Sequence, residues 1–179
     1  SSLPIEIVDL KSFPKIQEVH ETGTTFEENA ALKALGYAAQ TGQLTLAEDS
    51  GLCIDALEGA PGVFSARFSG LQGSDDADDE NNKKVLRLLE KVPDNCRGAH
   101  YKSVIALADP GKLIGSVSGE VHGVIAKKLC GTGGFGYDPL FFYLPFQKTF
   151  GEVSAEMKRQ VSHRAKAFEK IKILLGDYL

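Results

Sequence analysis

Between two apolar stretches of the run LTLAEDSGLCIDAL, Leu44 to Leu57, Glu48 and Asp49 stand side by side, followed by Ser50 and Gly51. Two carboxylates left buried and bare cost several kcal/mol. The fold therefore has to bring this segment to a place where they are solvated, paired or bound to something. The expectation is a strand that turns at the acidic pair. Everything else in the chain is constrained by what it can supply there.

The flanking segments alternate between helical and extended periods. PIEIVDL, Pro4 to Leu10, alternates apolar and polar residues as a half-buried strand does. TTFEENAALKALGYAAQTG predicts a helix with a capping-box start, in which Thr24 or Thr25 precedes Glu27 or Glu28 by three residues, and a stop at Gly42. EGAPGVFSARFSG, with three glycines and a proline, predicts a loop. A second helix is expected to begin at Ser74, its acids gathered at the start and its cations later, as the helix dipole favours. AHYKSVIALAD, a Pro-Gly turn and KLIGSVSGEVHGVIA predict a strand pair and a third strand. Two helical pieces, SAEMKRQ and SHRAKAFEKIKILLGDYL, close the chain. Interleaving of this kind predicts an α/β fold with a mixed sheet flanked by helices, in one domain over residues 1–179.

Composition narrows the function classes. A net charge of −4 argues against a basic nucleic-acid-binding surface. No apolar run approaches the roughly 20 residues that span a bilayer, so no membrane partner is expected. Cys53, Cys96 and Cys130 are odd in number and widely spaced, without a CxxC pair. They read as thiols of a reducing compartment, with the cytoplasm as the default location.

Four constellations bear on chemistry. A hard cation such as Mg2+ prefers carboxylate oxygens and keeps waters, so Glu48 and Asp49 suit a half-site, whereas the plainer alternative is a turn in which Asp49 caps backbone amides. Glu28 shares a helical stripe with Leu32, Leu35 and Ala39, which should turn inward and bring a third carboxylate to the pair. Lys33, on an adjacent face, is placed to reach a phosphate. The loop GTGGFGYDP, residues 131 to 139, holds four glycines within six positions, so backbone can approach a ligand while Phe135 and Tyr137 offer flat faces. Asp138 precedes Pro139 and is held extended. In KRQVSHRAKAF, Ser162 is a natural N-cap that puts His163 and Arg164 in the first turn of a helix, where cations are unfavourable unless an anion or electron-rich acceptor lies in front. Lys158 and Arg159 add donors upstream. Together these suggest a nucleotide. Arginine only donates hydrogen bonds, so Arg164 facing the six-position of a purine would accept a 6-oxo group and disfavour a 6-amino group.

The segments TFEENAALKA, AEDSGLCIDALEGAPGVFSARFSG, GTGGFGYDPLFF and VSHRAKA resemble the inosine triphosphate pyrophosphatases, or XTP/dITP diphosphatases, in order and spacing. The resemblance implies Mg2+-dependent hydrolysis of ITP, dITP and XTP to the monophosphate and pyrophosphate. It further implies a homodimer whose protomers have an elongated mixed sheet and two lobes around a nucleotide cleft. By the family's pattern, Asp49 would be the proton acceptor and a metal ligand, with Glu48 and Glu28 as the other metal carboxylates. Ser50, Phe135, Gly136, Tyr137, Asp138, Lys158, His163 and Arg164 would contact the nucleotide, with Phe135 stacking on the base. Lys33 would lie near the phosphates and Arg67 would be a second cation at the cleft. The family's pattern also has an opening strand and a Thr/Ser-x-Asn-x-x-Lys phosphate loop, for which these 179 residues contain no match. Two other outcomes stay open at this stage: a nucleotide binder with impaired turnover, and a related enzyme acting on modified pyrimidine nucleotides.

Overall fold

The structure, a computed structural model, describes residues 5–71, 73 and 76–179. Its first helix, α1 (Phe26–Thr41), forms where the local code asks for it. Thr25 Oγ1 accepts from the Glu28 amide at 3.1 Å while Glu28 Oε2 accepts from the Thr25 amide at 3.2 Å, closing the capping box, and Gly42 ends the helix in the left-handed region at φ 68°. The inward face is Phe26, Asn29, Ala30, Ala34 and Ala38, one position round from the expected stripe, so Leu32 and Glu28 are exposed. Small alanines at every fourth position let the helix axis lie close to the sheet.

Strand β1 (Thr45–Ile54) follows and runs straight through the acidic pair without turning. After it come α2 (Ala77–Leu88), β2 (Gly98–Asp109), β3 (Lys112–Ile125), β4 (Phe141–Tyr143), β5 (Lys148–Thr149), α3 (Ala155–Val161) and α4 (His163–Tyr178). The sheet order is β1-β2-β3-β4-β5 and every pairing among the described residues is antiparallel, so the α/β fold with flanking helices carries a meander, and the mixed sheet expected from interleaving gives way to it. β2 and β3 form one long hairpin with no third strand inside it. Ser74, where the second helix was expected to start, lies outside the described residues. Ile5 to Leu10 form no strand. Pro4 lies outside the described residues; the rest of the segment pairs with no strand among the described residues, runs into a 3-10 turn at Leu10–Ser12, and leaves Ile7 80% exposed. Alternation supplies a face for a strand but not a neighbour to bond it.

Pleating sorts the core between the two sheet faces. On one face Val104, Ala106 and Ala108 of β2 meet Phe26, Ala30, Ala34 and Ala38 of α1. On the other, Ile105 and Leu107 meet Ala167, Ile171 and Leu175 of α4. That second face continues into the largest cluster, where Leu52, Ile54, Tyr101 and Val121 pack with Val85 of α2, with Leu89 at its C-cap, and with Phe141 and Phe150. The close seat of α4 depends on Gly119 of β3. A Cβ there would run into the His163 carbonyl and come within 2.5 Å of the Ala167 amide nitrogen.

Candidate active site

A cleft of about 500 Å3 opens where α3 and α4 meet the glycine-rich loop, with Phe150 in its floor. Ser162 ends α3 and begins α4, and its hydroxyl accepts from the Ala165 amide at 3.2 Å. The break turns His163 and Arg164 into the cleft. His163 is buried, with its ring stacked on Tyr101 at 4.8 Å between centroids and 11° between planes. Burial first, then the charges of Arg164 and Lys158, push its pKa down to about 3, so the imidazole is neutral at physiological pH. Its Nδ1 is buried and has no partner among the described residues.

The loop from Gly131 presents Phe135, 57% exposed, as a flat platform. Lys158 Nζ lies 4.3 Å from its ring centroid and Arg164 Cζ 5.3 Å, so two cations lie against one aromatic ring. Lys158 is ion-paired with buried Asp138, whose Oδ2 also accepts from the Phe135 amide at 3.0 Å. Gly136, at φ 60°, gives its amide to Asp78 Oδ2 at 2.6 Å and takes Asn82 Nδ2 on its carbonyl at 2.8 Å, which anchors the loop to α2. Tyr137 is not a flat face of the cleft. It is 3% exposed, in the core, with its hydroxyl donated to the Ser65 carbonyl at 2.8 Å and its pKa raised by burial.

The acidic pair divides between the faces of the sheet, because adjacent residues of a straight strand point opposite ways. Glu48 faces the cleft. Its Oε1 accepts from Arg164 Nε at 2.8 Å and from Ser103 Oγ at 2.8 Å, and Arg164 Nη2 reaches Ser50 Oγ at 3.3 Å. Asp49 faces α1. Lys33 Nζ sits 2.9 Å from its Oδ1 and 2.7 Å from Glu21 Oε1, so one ammonium joins two carboxylates. Burial raises the pKa of Asp49 against the lowering effect of Lys33, and Glu21 raises it further. Burial would lower the pKa of Lys33, but Glu21 and Asp49 outweigh it and hold the ammonium charged. Asp49 Oδ2 is buried with no partner among the described residues.

The structure thus puts Phe135, Lys158, His163 and Arg164 in the cleft lining, with Asp138 bonded to Lys158 and with Glu48 and Ser50 bonded to Arg164, and places Lys33 and Asp49 on the opposite sheet face. Three expected members stand apart, the first being Tyr137 in the core. Glu28 Oε2 is taken by the Thr24 and Thr25 amides at 2.6 and 3.2 Å, so the inward stripe that was to carry it to the acidic pair does not exist. Arg67 lies 5.3 Å over the Phe64 ring and does not line the cleft. Glu21 is the residue the sequence reading missed. It precedes α1 in an irregular segment, and only its spacing of 12 before Lys33 would have pointed to it.

Comparison with protein families matches residues 1–174 to the Ham1 family. The chain belongs to the Ham1 family. Among its relatives, the dITP/XTP pyrophosphatase of Listeria monocytogenes serotype 4b is 51% identical over 173 residues, which is 97% of this chain and 84% of that protein. The dITP/XTP pyrophosphatase of Geobacter sulfurreducens is 50% identical over 174 residues, 97% of this chain and 86% of that protein. Of the solved structures, the Staphylococcus aureus Ham1 protein superposes with a TM-score of 0.88 at 35% identity, covering 97% of this chain and 88% of that one. A HAM1 protein from Coxiella burnetii gives 0.82 at 41% identity, covering 90% and 81%.

The fit of a divalent cation to this Ham1 chain can be judged from its donors. Among the described residues no three His, Cys, Asp or Glu side chains converge into a complete cage. Mg2+ does not need one, since it binds one or two carboxylates and takes the rest of its shell from water and substrate phosphates. The unpartnered Oδ2 of Asp49, with Glu21 across Lys33, is a donor set of that kind. The residues fit.

Proposed function

We propose that this chain hydrolyses the triphosphates of non-standard purine nucleosides, ITP, dITP and XTP, to the monophosphate and pyrophosphate, and so removes them from the nucleotide pool. The observation that carries the reading is the exposed Phe135 ring flanked by Lys158 and Arg164 beside an uncharged His163. An aromatic platform takes a base by stacking, and a guanidinium that only donates favours a 6-oxo purine over a 6-amino one. The names of the relatives, dITP/XTP pyrophosphatases, support the same substrate class.

In this reading the base stacks on Phe135 within the cleft, with Gly136 and Asp138 behind it and Ser50 beside Arg164. The triphosphate extends past the sheet toward Lys33. Asp49 is the proton acceptor. Water attacks the α-phosphorus, its proton passes to the Asp49 carboxylate, and the bond between the α-phosphorus and the bridging oxygen breaks to release pyrophosphate. A pKa raised by burial makes that carboxylate a better base than an exposed aspartate. Asp49 and Glu21 would hold Mg2+, which when bound neutralises charge on the leaving pyrophosphate. Glu48 serves on the cleft face by fixing Arg164 over the ring. The same reading has the chain act as one domain and as a homodimer, in the cytoplasm, where its three unpaired thiols are at home.

Replacing Asp49 by Asn tests the assignment. ITP affinity by calorimetry stays within a few-fold of the parent, while pyrophosphate release falls on the order of 100-fold or more, as loss of a general base does. Turnover within tenfold of the parent would remove Asp49 from that role.

A further inference from the structure

The sheet face under α1 is only half covered by it. Alanines and Phe26 close the end that holds Val104, Ala106 and Ala108. Toward the start of β2 the same face carries Lys102, His100, Glu120 and His122, and the proposed reaction, which uses Asp49 and Lys33 on this face, uses none of these four. Strand register sets Cys53 opposite His100 and His100 directly opposite His122. Direct cross-strand partners have Cβ atoms roughly 5 Å apart, so two imidazoles there share one space. The rings of His100 and His122 lie 5.3 Å apart between centroids at 32°. The His122 side chain is 73% exposed, and its Nε2 is 3.5 Å from Glu120 Oε2.

Charge on this patch favours a cation. Among the described residues Lys102 is the ammonium of this patch, held 2.7 Å from Glu27 and 4.0 Å from Glu120, and the Asp55 carboxylate adds a third acid over Gly98. We propose that His100 and His122 form a two-nitrogen clamp for a transition-metal ion of the Zn2+ or Ni2+ type, on the sheet face opposite the nucleotide cleft, with Glu120 as the neighbouring carboxylate. Imidazole nitrogens suit Zn2+, Ni2+ and Cu2+, whereas Mg2+ prefers oxygen, so the two kinds of ion do not compete for this place. With no complete cage among the described residues, water fills the remaining positions and binding is reversible. The bound ion bridges β2 to β3 near the open end of their hairpin, away from the turn.

Calorimetric titration of the untagged chain with ZnCl2, in excess Mg2+, decides the matter. The parent binds one Zn2+ saturably, and His100→Ala and His122→Ala each weaken binding by more than the roughly 10–100-fold that loss of an outer-shell partner costs. His20→Ala and Cys96→Ser, both at exposed positions away from the pair, leave it unchanged. His122→Ala keeps the parent's rate of pyrophosphate release. The exposure of His122 makes a folding failure of its variant easy to avoid, and a matched melting temperature without metal verifies it. Saturable binding that His122→Ala retains, or no saturable binding by the parent, overturns the clamp.

Discussion

His163 is a base that the fold keeps uncharged. Its pKa falls from the ordinary 6.5 to about 3 when the ring is buried against Tyr101 beside two cations. Between those values the unfolded chain takes up a proton that the folded chain refuses. The folded state therefore has its full stability from this group above pH 6.5 and loses it as pH falls toward 3, by roughly 1 kcal/mol per pH unit. Urea unfolding across pH 7 to 4 measures that slope. In His163→Phe, which keeps a stacked ring but cannot take the proton, the slope over the window is shallower by that amount. An unchanged slope would mean that the imidazole is charged in place. The same neutrality matters for recognition, because a neutral imidazole can both donate and accept toward a base edge. Lys33 shows the complementary case, with one ammonium kept charged by two carboxylates.

At the scale of elements, the critical junction is the N-terminus of α4 on β3. Gly119 has no side chain because the His163 carbonyl and the Ala167 amide occupy the space, the latter within 2.5 Å of where a Cβ would be. Gly119→Ala forces α4 outward, costs about 1–3 kcal/mol by overpacking, and carries His163 and Arg164 away from the Phe135 platform. Chemical denaturation and ITP affinity both report it, and both fall. A variant with parent stability and affinity would show that α4 adjusts freely. The helices themselves were legible in the sequence, since Thr25, Glu28, Gly42 and Ser162 act through hydrogen bonds within one turn of their own position. The strands were less so. Glu48 and Asp49 suggested a turn because two acids in an apolar run look like an exit from the core. In the fold, one acid finds Arg164 on one face and the other finds Lys33 on the opposite face, 116 and 16 residues away in sequence, so no turn is needed. Ile5 to Leu10 has a strand's alternation but no strand beside it.

For the whole molecule, a sheet with α1 on one face and α4 on the other sets two different chemistries on opposite faces. The face under α4 carries the aromatic platform and its donors, and the face under α1 carries the lysine and paired carboxylates suited to phosphates and a metal. Phe135, Lys158, His163 and Arg164 of the cleft were legible as motifs, whereas Phe150, Val153 and Phe168, which also line it, were not. Which of them share a face was not, because strand order and register depend on contacts far apart in sequence. Glu21 was missed for the same reason, as it lies in a segment with no periodicity. Among the described residues no helix is long and apolar enough to cross a membrane. The proposed function requires the chemistry of both faces to act on one nucleotide. Its most direct test is pyrophosphate release from ITP, dITP, XTP, GTP and ATP, with and without Mg2+. Release that requires Mg2+ and favours ITP, dITP and XTP over ATP by a factor of about 10 to 100 is the expected result, the size that one mismatched polar contact imposes. Equal release from ATP and ITP, or release that Mg2+ does not affect, would contradict it.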